Sequence, residues 1–130
     1  MAFFEPDAPA SKLYRQLQKA FPQHAVAVTS ATRDEKLLVV QVSSDRNPGD
    51  FYVFDTVARK MDPIFSRRIW FDPAKLPATR SVEIVARDGL KLYGYLTLPL
   101  GSSSATPAPM VLLPHGGPFG VHDDWSFDNE

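Results

Sequence analysis

Residues 109–125, PMVLLPHGGPFGVHDDW, hold the residue types in this chain best suited to chemistry. An apolar run, 110–113, ends at Pro114 and is followed at once by His115, Gly116, Gly117 and Pro118. Adjacent glycines let a backbone come close to an outside group and take up positive φ. The imidazole beside them offers either a base or a hydrogen-bonding ring. Taken alone, His-Gly-Gly-Pro describes an ordinary turn. His122, Asp123 and Asp124 are metal-ligand types, but adjacent residues on one loop seldom converge on one ion, and only His24 and His115 remain as further histidines. A solvated loop is the expected reading there, and no metal site is assigned. No Gly-x-Ser-x-Gly occurs in the chain. Ser43, Ser44, Ser66, Ser81, Ser102, Ser103, Ser104 and Ser126 all lack the context of a nucleophile elbow.

The elements that must position this stretch are short. In DAPASKLYRQLQKAFP, Leu13, Leu17 and Phe21 recur at helical spacing; Asp7 or Ser11 can cap the start and Pro22 ends the pattern, which predicts a helix over 8–21. AVAVTSAT, KLLVVQVSSD, DFYVFDT and KMDPIFSR then read as four successive strands over about 24–68, separated by the polar or turn-like RDE, RNPG and VAR. Leu37 to Val40 is apolar on both faces and belongs in a central strand. FDPAKLPATR, 71–80, carries two prolines and reads as a linker. Two further strands flank Asp88-Gly89, a hairpin signal, and GSSSATPAP is a polar loop before the apolar run at 110–113, which is expected to be a short buried strand. Such a strand needs neighbours on both faces. With one meander and one hairpin available, the chain reads as a piece of something larger.

Composition narrows the function class. The 130 residues are 44% hydrophobic, enough for a packed core rather than disorder. A net charge of −1 and a pI near 6.3 disfavour nucleic acid or an anionic membrane as the partner. No apolar run approaches a membrane span, and the acidic, proline-containing start is unlike a signal peptide. The compartment stays open, with the start of the chain only favouring the cytoplasm. With no cysteine, disulfides and thiolate metal sites are excluded. No cofactor is expected.

The order of blade-like meander, proline-containing linker, ARDGLKLYGYLTLP hairpin, polar loop, apolar strand, HGGPFG and DDWSF resembles the prolyl oligopeptidase family of serine peptidases, in its acylaminoacyl peptidase and dipeptidyl aminopeptidase branch. The resemblance implies a mainly β chain with the start of an α/β domain. Residues 1–78 would be the C-terminal part of a β-propeller, ending in its last blade, and 79–130 the N-terminal strands of an α/β-hydrolase domain. It implies an oligopeptide substrate. It also gives the glycines a role, because in such hydrolases a loop after an early strand donates a backbone N–H to the oxyanion. By that likeness Gly117 is the donor and Gly116 shapes the turn, while Pro118, without an N–H, stiffens the exit. His115 supports the loop by hydrogen bonding, since the family's triad histidine lies far downstream. The triad serine, aspartate and histidine would all follow the loop, so this segment alone is expected to be inert. Phe51, Tyr52, Phe54, Trp70 and Phe71 are read as blade core and interdomain packing. Two other readings stay open: a His-Gly-Gly lipase or esterase, and a non-enzymatic, β-rich binding module in which the glycines only turn the chain.

Overall fold

Proline at the first helical turn lacks an N–H that would be orphaned there anyway and fixes a helical φ. In the computed structural model, which describes residues 5–117, 119–121 and 123–127, α1 (Pro9–Ala20) starts this way. Its N-cap is Ala8, without a side-chain cap. Neither expected capping residue acts as one: Ser11 donates its hydroxyl back to the Glu5 carbonyl at 2.8 Å, and Asp7 pairs loosely with Lys12 at 3.7 Å.

The predicted meander forms as a four-stranded antiparallel sheet, β1 (Ala25–Ala31), β2 (Leu37–Ser44), β3 (Asn47–Asp55) and β4 (Lys60–Ser66), in sequential order. Side chains alternate across a strand, and in β2 this puts Leu38, Val40, Val42 and Ser44 on the covered face. Leu38, Val40 and Val42 form the core with Val26, Phe54 and Leu17 from α1, and Leu13, Phe21, Tyr52 and Met61 pack around it. The helix is fastened further by Arg59, whose guanidinium donates to Gln16 Oε1 at 2.6 Å. The opposite face of β2 is more open, with Leu37 41% exposed.

Local polar chemistry makes the turns. Between β1 and β2 the Thr32 hydroxyl donates to Asp34 at 2.8 Å and accepts from the Leu37 N–H; Thr32, then Lys36, holds the Asp34 carboxyl below its usual range. Between β3 and β4 the Asp55 carboxylate accepts from the N–H groups of Val57 and Ala58. The β2–β3 turn is tighter than the sequence suggests. Asn47, Pro48 and Gly49 lie inside β3 and leave a turn of Asp45 and Arg46. Asn47 makes this possible, accepting from the Gly49 N–H at 2.9 Å and donating to Asp50 at 2.7 Å. Gly49 has φ +139°, and a Cβ there would lie 3.2 Å from the Gln41 amide nitrogen, so the position calls for glycine.

A short 3₁₀ turn (Pro73–Lys75) within the connection leads to the second sheet, the hairpin β5 (Thr79–Val85) and β6 (Lys91–Thr97). Its turn places Gly89 at φ +86° after a Gly89 N–H to Ala86 carbonyl bond. That is a three-residue loop with glycine in the left-handed position, rather than the two-residue turn that Asp-Gly signals most strongly. The expected buried strand at 110–113 does not form. Its four side chains are 64–80% exposed, and no strand follows β6 among the described residues. A buried strand is stable only with partners at its edges and cover on its faces, and the described residues supply neither. The chain is thus mainly β, as expected.

Because neighbouring β2 residues point to opposite faces, Leu38→Ala should lower stability by about 2–5 kcal/mol, whereas Leu37→Ala should cost about 1 kcal/mol or less. Urea unfolding of the two variants, read as midpoint shifts at constant slope, measures the difference.

Candidate functional site

The stretch 114–117 follows the hairpin as irregular, exposed chain. His115 Nδ1 lies 2.6 Å from the Gly116 carbonyl oxygen. A carbonyl only accepts, so this contact requires the ring proton on Nδ1. Its consequence lies in the next peptide unit. The Gly116 carbonyl and the Gly117 N–H share one planar trans peptide and point in opposite directions. By holding that oxygen, the imidazole aims the Gly117 N–H away from itself. Gly117 N–H has no protein acceptor among the described residues.

Neither Gly116 nor Gly117 is among the positive-φ glycines, which are Gly49, Gly89, Gly101 and Gly120. A Cβ on either would meet nothing within 4 Å. The possibility that this loop needs glycine for positive φ is therefore set aside at these two positions. The chain's own packing does not demand glycine at either position. Pro118 and His122 lie outside the described residues, so the stiffening role of the first and any joint site of His122 with the exposed Asp123 and Asp124 lie outside them as well. Among the described residues no cluster of His, Asp or Glu could hold a metal, and no helix is long and apolar enough to cross a membrane.

The segment after the loop folds back on the connection between the two sheets and the start of β5. Trp125 is half-buried and donates its indole N–H to the Thr79 carbonyl at 3.0 Å. The Phe127 ring packs on Phe71 with centroids 5.6 Å apart, and the Arg68 guanidinium lies 5.5 Å from each of these rings. A polar cleft of about 380 Å³ is lined by Gln41, Ser43, Asn47 and Arg67 together with Ser126 and Phe127. Of the aromatic set read as core or packing, Phe54 is buried, Phe51 stacks on Phe65 at 4.5 Å, and Phe71 meets Phe127; Trp70 is 74% exposed.

Asp45, Thr79 and Trp125 carry no sequence signal as a bonded set, although Trp125 stands in the DDWSF stretch that carries the resemblance. Asp45 sits in a turn where an acidic residue reads as solvated, yet its side chain is 4% exposed and accepts the Thr79 N–H at 2.6 Å. Only the juxtaposition of positions 45, 79 and 125 in space reveals them.

One relative is found among curated proteins, dipeptidyl aminopeptidase BIII of Pseudoxanthomonas mexicana, 31% identical over 130 aligned residues. The alignment covers 90% of this chain and so takes in both sheets, but the chain spans only 19% of that protein. The chain is thus distantly related to a peptidase. No protein-family model and no solved structure matches it.

If glycine at 116 and 117 answers only to an outside group, Gly116→Ala and Gly117→Ala should each change stability by no more than about 0.5 kcal/mol. Gly49→Ala, at positive φ and under the Gln41 side chain, should cost about 1–2 kcal/mol. Chemical denaturation of the three variants separates the cases.

Proposed function

We propose that this chain is the junction segment of a serine peptidase of the prolyl oligopeptidase type. In this reading 1–78 close a β-propeller and 79–130 begin the α/β-hydrolase domain. The observation that carries it is the similarity to a dipeptidyl aminopeptidase along nearly all of this chain. The local geometry of the His-Gly-Gly loop supports it. Peptide hydrolysis passes through a tetrahedral intermediate whose carbonyl oxygen becomes negative, and a donor aimed beforehand at that oxygen lowers the barrier. The Gly117 N–H, turned away from the imidazole by the bond between His115 and the Gly116 carbonyl, has the attributes of such a donor.

The substrate is an oligopeptide cleaved near its N-terminus. A serine hydroxyl supplied from outside these 130 residues attacks the scissile carbonyl as a histidine takes its proton. The oxyanion forms against the Gly117 N–H and a second donor next to the serine, then collapses as the histidine passes its proton to the leaving amine; water, deprotonated by the same histidine, attacks the acyl-serine through a second oxyanion and releases the acid and the serine. This chain supplies one donor and its support and leaves the nucleophile, base and orienting acid to other residues. Its apolar run at 110–113, exposed here, becomes an inner strand when the hydrolase sheet is completed around it. No cofactor takes part in this reaction.

The test uses the protein extended along its reading frame past Glu130. Gly117→Pro removes the N–H and should cut kcat about 10²–10³-fold, whereas Gly117→Ala keeps it and should cost far less. His115→Ala should reduce kcat moderately by freeing the peptide plane. Thermal melts first confirm that each variant is folded. Loss of all activity in His115→Ala with near-normal activity in Gly117→Pro would make the imidazole, not the backbone, the participant.

A further inference from the structure

Thr79 opens β5, and its backbone is held from both sides. Its N–H donates to Asp45 Oδ2 at 2.6 Å, 34 residues back in the β2–β3 turn. Its carbonyl accepts from Trp125 Nε1 at 3.0 Å, 46 residues on. Its hydroxyl lies 2.7 Å from that of Thr97, its partner in the terminal pair of the β5–β6 ladder. The Asp45 side chain is 4% exposed, so its charge depends on protein donors. One oxygen has the Thr79 N–H. The other lies 3.9 Å from Arg46 Nε, beyond hydrogen-bond distance, and that nitrogen has no hydrogen-bond partner. The bond to Thr79 is therefore the one short hydrogen bond of this carboxylate among the described residues.

We propose that Asp45 and Trp125 are positioning residues for the 115–117 loop, acting through Thr79. The inference rests on the reading of Gly117 as a backbone donor. The loop leaves β6 through the irregular segment 98–114, which makes no ladder. Eight residues beyond Gly117 the chain is fastened by the indole of Trp125, and Phe127 packs against Phe71 and Arg68. The indole's acceptor is itself set by Asp45. The first sheet thus sets where the loop's downstream end is fastened, and a shift of the Asp45 turn is passed on as a shift of the loop. A donor must sit within a few tenths of an ångström of its working place. An anchor reaching from the first sheet supplies a restraint that the polar linker upstream lacks.

The chain has two tryptophans, so two indole N–H signals report directly. Trp70 is 74% exposed and serves as an internal reference. In the 130-residue protein, the Trp125 indole N–H should exchange with solvent about tenfold more slowly than that of Trp70. Asp45→Ala should erase most of that protection and move the Gly116 and Gly117 amide signals. Asp45→Asn, which keeps an oxygen to accept the Thr79 N–H, should restore most of both. Asp62→Ala, at a surface ion pair with Lys60, should change neither. If Asp45→Ala does not fold, Trp125→Phe decides: it keeps the ring, loses the donor, and should move the two glycine amides while leaving β1–β4 signals in place. Equal exchange at Trp70 and Trp125, or glycine amides unmoved by Trp125→Phe, overturns the proposal. Neither result bears on whether Gly117 donates in catalysis, which the kinetics of Gly117→Pro decide separately.

Discussion

A hydrogen bond from the Thr79 N–H to Asp45 sets the second half of this chain against the first, and a second, from Trp125 to the Thr79 carbonyl, ties the later chain to the same residue. A carboxylate withdrawn from water must find donors, and Asp45 finds one in the Thr79 N–H. That requirement brings the β2–β3 turn and the start of the hairpin together across 34 residues that form β3, β4 and a connection with a 3₁₀ turn. Once Thr79 is placed, its carbonyl presents an acceptor for the Trp125 indole. The chain is then closed on itself around the hairpin and the His-Gly-Gly stretch. A two-stranded hairpin is marginal by itself, and here its first residue borrows order from a sheet that has its own core.

The two sheets contribute unequally. The first buries Leu38, Val40, Val42, Val26 and Phe54 under α1 and stands on that apolar contact. The second leaves Ile84, Leu92, Tyr93 and Tyr95 largely exposed, and the run at 110–113 is more exposed still. In the reading proposed above, the first part completes one unit and the second begins another. A backbone donor costs no reorganisation only if its peptide is already oriented, and the bond from His115 to the Gly116 carbonyl orients it without using the donor itself.

Much of the fold is legible in the sequence, for local reasons. Leu13, Leu17 and Phe21 state a helix by spacing, and the four β-rich runs with polar breaks state a meander, because both patterns are decided within a few residues. The limits are equally local. RNPG reads as a turn, yet Asn47 pairs with the backbone of Gly49 and with Asp50 and draws three of those residues into β3. The run at 110–113 reads as a strand from its side chains alone, but a strand also needs an edge to bond to. The His-Gly-Gly motif is visible by residue type, while its orientation by His115 and the freedom of both glycines from positive φ emerge only from geometry. The Asp45, Thr79 and Trp125 set is illegible, because long-range pairing of a turn acid with a backbone N–H leaves no periodic trace.

The account holds that these residues carry an oxyanion donor and its support but not the nucleophile. Reaction with a fluorophosphonate, which marks an activated serine covalently, tests that division most directly when applied to the 130-residue chain and to the protein extended past Glu130. The account predicts no labelling of the short chain and one labelled serine in the extended protein, within a Gly-x-Ser-x-Gly beyond Glu130. Stoichiometric labelling of a serine within residues 1–130, or an extended protein that takes up no label, would contradict it.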